Sequence, residues 1–220
     1  MQNIAEVYVL TDNVEIADAV RAFGGNILMT SDTCGNGTER CAEAVPLLAT
    51  PPDVIVNLQG DAPLTPPHFI EALIAEMARD PSIVMTTPVL RTSAPHLAKL
   101  QADRKYGRVG ATTAVFDVRG DALYFSKEIL PFYGEAPKSA APVFHHVGCY
   151  AYRPESLVTY KSLPVGPLEK REGLEQLRFL ENGIQVRCVI VEAQGREFWE
   201  LNNPTDIPVI EAILKKEKLP

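Results

Sequence analysis

The sequence predicts an α/β protein built on a doubly wound, mostly parallel sheet. Residues 7–10 and 54–58 form short blocks that are apolar at almost every position. Strands of this kind are typical of parallel sheets covered by helices on both faces, whereas a strand with one wet face alternates apolar and polar side chains. Segments with helical spacing of apolar residues follow both blocks, and this alternation is the pattern of a doubly wound fold.

The first half of the chain contains three strand–helix units. The strands are predicted at residues 7–10, 27–29 and 54–58, and the helices at 14–23, 38–48 and 66–79. Gly24 and Gly25 end the first helix, because glycine accepts the left-handed backbone that follows a C-cap. Pro66 is placed near the start of the third helix, where its missing N–H costs no helical hydrogen bond.

The second half of the chain has a different character. Its pattern predicts strands at residues 112–117, 122–126, 146–152 and 185–191, and helices at 155–160 and 168–181. Residues 131–142 are rich in Pro, Gly, Ala and Ser and are predicted to form a loop. A last helix is predicted to begin at Asn203-Pro204. No linker is long enough to separate two domains, so we expect a single domain over 1–220.

Composition and charge exclude several classes of protein. The hydrophobic fraction of 46% excludes disorder, and the formal charge of −7 with no basic stripe argues against a nucleic-acid partner. No apolar run approaches the roughly 20 residues that span a bilayer, and residues 1–6 do not resemble a secretion signal. We therefore expect a cytoplasmic protein without membrane insertion. Its four cysteines form no CxxC pair and are expected to be free, mostly buried thiols: Cys34, Cys41, Cys149 and Cys188.

Ligands of such sheets bind at the carboxyl ends of the strands, and Asp61 follows one of them. A carboxylate at this edge suits Mg²⁺, which takes one or two carboxylates together with phosphates and waters. The alternative is a loop Asp that caps the next helix.

A second candidate is the glycine turn, residues 35–40, where exposed N–H groups and Arg40 suit an anionic acceptor. An ordinary turn with Thr38 as the helix cap is the competing interpretation.

Two further segments offer polar groups. Period-2 geometry places His146, Gly148, Tyr150 and Tyr152 on one face of a strand, where an imidazole and a phenol could meet a polar ligand. A half-buried histidine on an edge or dimer-forming strand is the alternative. On the predicted helix 168–181 most charges are expected to be solvated. No GxSxG or HExxH motif indicates a hydrolase.

Six motifs, in one order along the chain, together resemble the CMP-Kdo synthetases (3-deoxy-manno-octulosonate cytidylyltransferases), which are sugar nucleotidyltransferases with a Rossmann-like fold. The motifs are Thr11-Asp12, Gly37-Thr38-Glu39-Arg40, Asn57-Leu58-Gln59-Gly60-Asp61, Ala122-Leu123-Tyr124-Phe125-Ser126-Lys127, His146-Val147-Gly148-Cys149-Tyr150-Ala151-Tyr152, and Leu168-Glu169 with Leu174-Glu175-Gln176-Leu177-Arg178. The resemblance covers nearly the whole chain.

The resemblance implies an activity and roles for residues. CTP and Kdo would give CMP-Kdo and pyrophosphate, for lipopolysaccharide or capsule synthesis, with Mg²⁺ neutralising the triphosphate. The family is usually homodimeric through its central, β-rich region. The resemblance implies that the catalytic residues are Asp61 and Lys127, and that the metal is bound by Asp61 and Asn202. The nucleotide would be bound by Gly37, Thr38, Arg40 and Asp61. The sugar acid would be bound by Gln59, His146, Tyr150, Glu175 and Gln176.

Several positions depart from the family pattern. Its opening strand and basic, glycine-containing phosphate loop have no counterpart in these 220 residues, so we expect the sheet to lack a central strand. Ala62 stands where the family has Glu, Asn202 replaces a metal-binding Asp, Thr113 a Lys, and Lys127 an Arg. These changes leave two alternatives open: a cytidylyltransferase for another sugar acid, such as an amino-Kdo, and a relative that binds nucleotide or sugar without catalysis.

Overall fold

The computed structural model describes residues 4–107, 109, 111–132, 142–196, 201 and 204–217, and within them the chain forms two sheets flanked by helices. The strands are β1 (Tyr8–Thr11), β2 (Asn26–Met29), β3 (Ile55–Leu58), β4 (Met85–Arg91), β5 (Thr113–Phe116), β6 (Ala122–Ser126), β7 (Phe144–His146), β8 (Cys149–Tyr152) and β9 (Arg187–Val191). The helices are α1 (Val14–Ala22), α2 (Gly37–Ala44), α3 (Pro67–Arg79), α4 (Ala94–Lys105), α5 (Pro154–Ser162), α6 (Pro167–Glu172), α7 (Leu177–Glu181) and α8 (Ile207–Glu217).

The smaller sheet is the parallel pair β1–β2, and the larger has the order β3-β8-β4-β7-β5-β6, with β9 paired to β4. The prediction of a mostly parallel sheet is wrong, because within the described residues only β1–β2 and β4–β9 pair in parallel. The other five pairs among the described strands are antiparallel, and β8 in particular lies between β3 and β4 and is antiparallel to both. Its four residues are all buried, so uniform apolarity indicates burial on both faces and not strand direction.

Helices cover both faces of the larger sheet, as the α/β prediction requires. On one face the buried side chains of α3 pack against β8 and β9 through Phe69, Leu73 and Met77. On the other, α5 and α7 contribute Leu157, Tyr160 and Phe179 to a core that includes Tyr152.

No helix among the described residues is both long and apolar enough to span a bilayer. All four cysteines are free, and Cys34 is the one that is not buried.

Some elements differ from the sequence prediction. The strand β4 and the helix α4 were not predicted, because β4 carries Thr86, Thr87 and Pro88 and α4 buries only Leu100. The predicted helix 168–181 is divided at Gly173, whose positive φ of 63° ends α6. The predicted strand 146–152 is divided into β7 and β8. Part of the predicted loop 131–142 and the predicted helix start at Asn203 lie outside the described residues.

Candidate active site

A cavity of about 1780 Å³ opens where the ends of β1 and β3 meet the start of α2 and the segment between α6 and α7. The predicted site residues on its wall are Gly37, Arg40, Gln59, Asp61, Tyr150, Glu175 and Gln176. These residues come from four separate parts of the sequence. The fold therefore gathers most of the residues that the resemblance predicts at one place, at the carboxyl ends of strands.

Several backbone N–H groups of the glycine turn, residues 35–40, are bonded within the protein. Asn36 is the cap of α2, since its Oδ1 accepts from the Glu39 N–H at 2.8 Å, and the Glu39 carboxylate accepts from the Gly35 N–H at 2.7 Å. The interpretation of Thr38 as the cap is wrong. Its side chain is buried, and its hydroxyl lies 2.7 Å from the Tyr152 hydroxyl.

Gly37 lies where the glycine turn approaches the end of β3 closely. A Cβ at this position would lie 3.0 Å from Nδ2 of Asn57 and 3.5 Å from Nε2 of Gln59. Both side chains come from the end of β3, two positions apart and therefore on the same side of the strand. A side chain at position 37 would therefore crowd these two amides.

Glu175 is the centre of the polar wall. Its Oε2 accepts from the Thr38 N–H at 2.8 Å, and its Oε1 accepts from the Gln59 amide. Burial raises the pKa of the Glu175 carboxyl, while the hydrogen bonds from Thr38 and Gln59 act in the opposite direction by favouring the carboxylate. One side chain thus joins α2, β3 and the α6–α7 segment.

Two buried amides on this wall have a donor without a partner. The hydroxyl of Tyr150 donates to Oε1 of Gln176 at 3.2 Å, but Nε2 of Gln176 and Nδ2 of Asn57 find no acceptor in the described part of the chain. An unsatisfied buried polar group costs about 1–3 kcal/mol, so such groups are typical of sites that meet a polar ligand. Asn57 was not predicted as a site residue, although its position two residues before Gln59 was the available signal.

His146 lies behind the cavity and is not part of its wall. Its ring is buried between Phe125 and Tyr150, and Nε2 lies 2.8 Å from the hydroxyl of Thr87. Burial lowers the pKa of this imidazole to about 3, so the ring is neutral near pH 7. The expected contact of His146 with a sugar acid stays a prediction.

Lys127 approaches the site from β6. Its N–H donates to the Glu172 carboxylate at 2.9 Å, which also accepts from the Ser126 hydroxyl at 2.7 Å. The Lys127 ammonium lies 3.1 Å from the position of a Cβ on Gly173, a residue of the cavity wall. The side chain therefore crosses the turn that separates α6 from α7, at the edge of the cavity.

Arg40 is held in place by the loops that follow β1 and β2. Its Nη1 donates to the hydroxyl of Thr30, and its Nη2 lies 3.5 Å from a carboxylate oxygen of Asp12. Asp12, the second residue of the motif Thr11-Asp12, therefore has a structural role, which is to hold Arg40. The guanidinium keeps one side toward the cavity, where it adds a cation to a chain of net negative charge.

Asp61 is exposed at the cavity mouth, and its backbone carbonyl accepts from the Leu201 N–H at 2.6 Å. Asn202, the other predicted metal ligand, lies outside the described residues. Among the described residues no cluster of three His, Cys, Asp or Glu side chains could hold a metal by itself. A single exposed carboxylate fits Mg²⁺, which completes its octahedron with phosphate and water.

Comparisons with known proteins point to one family. The sequence profile of the family described as cytidylyltransferase matches residues 1–188. The 3-deoxy-manno-octulosonate cytidylyltransferase of Maricaulis maris is 41% identical over 214 residues, which are 97% of this chain and 82% of that protein. The 8-amino-3,8-dideoxy-manno-octulosonate cytidylyltransferase of Shewanella pealeana is 37% identical, over the same shares of the two chains. A solved CMP:2-keto-3-deoxy-manno-octonic acid synthetase in complex with CTP is 32% identical, with a TM-score of 0.83, and is matched over 99% of this chain and 83% of that one.

The fold and the cavity with its polar wall, taken with these matches, define an enzyme of the nucleotidyltransferase class with a Rossmann-like α/β fold. Within that class, the chain belongs to the cytidylyltransferase family. The resemblance drawn from the six motifs is confirmed.

Proposed function

We propose that this enzyme transfers the cytidylyl group of CTP to 3-deoxy-manno-octulosonate (Kdo), giving CMP-Kdo and pyrophosphate. The observation that carries the proposal is Glu175, which holds the glycine turn on one side and Gln59 on the other. The predicted nucleotide-binding and sugar-binding residues thereby meet on one wall. The Maricaulis maris relative is named for 3-deoxy-manno-octulosonate, which supports the sugar acid as a substrate. The solved synthetase is in complex with CTP, which supports the nucleotide.

The cavity residues divide into two groups in the proposed reaction. The glycine turn and Arg40 would bind the nucleotide, while Gln59, Tyr150, Glu175 and Gln176 would hold the hydroxyl and carboxylate groups of the sugar acid. The anomeric hydroxyl then attacks the α-phosphorus, and pyrophosphate leaves with the electron pair of the broken P–O bond. The role of the wall is orientation, since an in-line displacement depends mainly on positioning and charge stabilisation.

The proposed cofactor is Mg²⁺, with Asp61 and Asn202 as its protein ligands. Asp61 supplies a carboxylate at the cavity mouth, and Asn202 would supply a carbonyl oxygen without charge. When bound, the ion would neutralise negative charge on the triphosphate. This assistance matters here because the chain has a formal charge of −7.

A groove between β1 and β3 supports the proposal that the enzyme accepts one further strand. In the described part of the chain β1 pairs with β2 alone and β3 with β8 alone, so each has an edge without a strand partner. Both edges line the same cavity, whose volume exceeds the range of about 300–1,000 Å³ that is common for small-molecule sites. Val7 and Leu58 at this groove are 68% and 46% exposed. A strand here would join the two sheets.

An N-terminal extension tests the strand proposal directly. The segment of the Maricaulis maris relative that precedes its matched region would be fused ahead of residue 1. The melting temperatures of the extended and the original protein would then be measured. A higher melting temperature of the extended protein is expected, because the added strand would bury apolar edges and satisfy backbone groups. Equal melting temperatures would contradict the proposal.

We further propose that the enzyme acts in the cytoplasm as a homodimer, in lipopolysaccharide or capsule synthesis. The family resemblance supports these assignments. Exposed apolar side chains near the β5–β6 region, Leu123 and Phe132, suit a dimer contact there.

A second sugar acid is the alternative within the same reaction. The relative in Shewanella pealeana is named for an 8-amino sugar acid, and this chain matches it at 37% identity. Ala62 and Thr113 depart from the family pattern that the resemblance implies. Turnover of Kdo and of its 8-amino analogue with CTP, compared side by side, distinguishes the two substrates.

Pyrophosphate release with CTP, Kdo and Mg²⁺ tests the proposed function. Release is expected from the wild-type chain or its strand-extended form, and its rate is expected to fall by about 30-fold or more in E175Q. Glu211→Gln is a matched control, since Glu211 is an exposed residue of α8. Binding of CTP without release by either form would show a nucleotide-binding relative that does not catalyse the reaction.

A further inference from the structure

Arg178 lies behind the cavity wall in a buried ionic network. Its Nε and Nη2 donate to the Glu169 carboxylate at 2.8 and 2.7 Å, and its Nη1 lies 2.8 Å from the Glu39 carboxylate. The guanidinium carbon is 4.2 Å from the centre of the Tyr160 ring. The prediction that most charges on the helix 168–181 are solvated fails at Arg178, because its side chain is 5% exposed.

Two of the residues that contact Arg178, Glu39 and Tyr160, also form hydrogen bonds with the glycine turn. The Glu39 carboxylate accepts from the Gly35 N–H, and the Tyr160 hydroxyl accepts from the Asn36 amide at 3.1 Å. The same Tyr160 hydroxyl donates to the backbone carbonyl of Glu175 at 3.1 Å. The network therefore connects the turn with the segment that carries Glu175 and Gln176.

The chemistry of the network requires an arginine. Glu39 and Glu169 are two carboxylates on opposite sides of one cation, and Glu169 is 7% exposed. A planar guanidinium can bond both and still stack on a tyrosine, which an ammonium cannot do. Burial acts to raise the pKa of Glu39, but the Gly35 N–H and Arg178 hold it below its ordinary value. Without Arg178 two acidic side chains would be left in partly dry surroundings.

We propose that Arg178 is a positioning residue, which fixes the glycine turn against the Glu175–Gln176 segment and thereby sets the affinity for nucleotide. It does not belong to the cavity wall, so it acts through Glu39 and Tyr160. The two sides of the cavity then move as one unit. This inference rests on the proposed function in one respect, that the glycine turn binds the nucleotide.

The test compares R178M with R187M. Arg187 is a matched control, because it also pairs with two carboxylates, Asp121 and Glu76, and is 13% exposed, but lies on β9 away from the cavity. Amide hydrogen exchange of residues 35–40 and the dissociation constant of CTP with Mg²⁺ are measured for both, together with the melting temperature. R178M is expected to exchange about tenfold faster at the turn and to bind CTP about tenfold more weakly.

The control should separate positioning from general loss of stability. R187M is expected to leave exchange at the turn and CTP binding within about twofold of wild type, even where its melting temperature falls as far. R178K, which keeps the charge without the fork, should bind CTP with intermediate affinity. The double variant E39Q/R178M should lose no more affinity than R178M, since the two residues act through one contact.

Two results would overturn the inference: unchanged exchange at residues 35–40 in R178M, or equal effects of R178M and R187M on exchange and binding. The exchange measurement needs no ligand. If wild type itself fails to bind CTP, the proposed function fails, while exchange at the turn still decides whether Arg178 positions it.

Discussion

The carboxylate of Glu175 accepts a hydrogen bond from the backbone N–H of Thr38, although the two residues are 137 positions apart. This bond connects the first turn of α2 to the segment between α6 and α7. Because the same carboxylate also accepts from Gln59, three elements around the cavity depend on one buried acid. Its charge and its shape should both matter for function.

The variant E175Q tests the carboxylate with little change in shape. One end of the amide would be an NH₂ group, which would face a donor, either the Thr38 N–H or Gln59 Nε2. We expect kcat/KM to fall by about 30-fold or more, corresponding to about 2 kcal/mol for a hydrogen bond to a charged group. Steady-state kinetics against the E211Q control measure the loss. An E175Q enzyme as active as this control would remove Glu175 from the machinery.

The variant G37A tests the close approach of the glycine turn to β3. The new Cβ would lie 3.0 Å from Nδ2 of Asn57, so the buried Asn57 side chain must give way by a few tenths of an ångström. We expect the free energy of unfolding to fall by about 1–3 kcal/mol, as for other overpacked sites. Urea denaturation of G37A and of G60A provides the comparison, because a Cβ on Gly60 meets nothing within 4 Å. Equal stability of the two variants would contradict the steric argument.

Several elements follow from the sequence almost residue for residue. The predicted strand 54–58 is Ile55–Leu58, because the segment is a short and almost uniformly apolar block. The predicted helix 66–79 is Pro67–Arg79, because its apolar residues keep helical spacing and a proline lies near its start. The strand β4 escaped prediction because buried threonines and a proline interrupt its apolar run. Strand direction escaped as well, since burial on both faces has the same pattern in parallel and antiparallel sheets.

The site was less accessible to sequence reasoning than the fold. The resemblance selected Gln59, Glu175 and Gln176, and the structure places them on one wall. Periodicity alone gave no sign that Arg178 is buried, because its partner Glu39 lies far away in the sequence. The neutralisation of a buried charge depends on such distant partners. A charged residue on a predicted helix therefore cannot be assigned to solvent from its own neighbours.

The variant D61N tests the proposed metal ligand. Asp61 is exposed and its backbone, not its side chain, bonds Leu201, so the melting temperature should stay within about 2 °C of wild type. Turnover at saturating CTP is expected to require at least about tenfold more Mg²⁺, because the amide offers no negative charge. A Mg²⁺ titration of pyrophosphate release measures this, with Asp18→Asn on the exposed face of α1 as the control. An unchanged Mg²⁺ requirement in D61N would argue against metal binding at this residue.

Two neighbouring histidines should make the protein sensitive to acid. Burial lowers the pKa of His146 from the ordinary 6.5 to about 3. His145 is half-buried beside the His96 ring, and its desolvation lowers its pKa to about 4. Above pH 6.5 both rings are neutral in the folded and unfolded chains, so their contribution to stability is fully present there. As the pH falls below 6.5 the unfolded chain binds protons that the folded chain does not, and stability is lost progressively down to about pH 3.

The measurement is the free energy of unfolding by urea between pH 7.5 and 4.5 for wild type, H146Q and the double variant H145Q/H146Q. Carboxylates also bind protons on unfolding at low pH, but they do so in all three proteins, so the differences isolate the histidines. Near pH 5 each replaced histidine should remove about one proton from the uptake on unfolding, which reduces the slope by about 1.4 kcal/mol per pH unit. Parallel pH profiles for the three proteins would show that the two rings are protonated in the fold, which would contradict their burial as neutral groups.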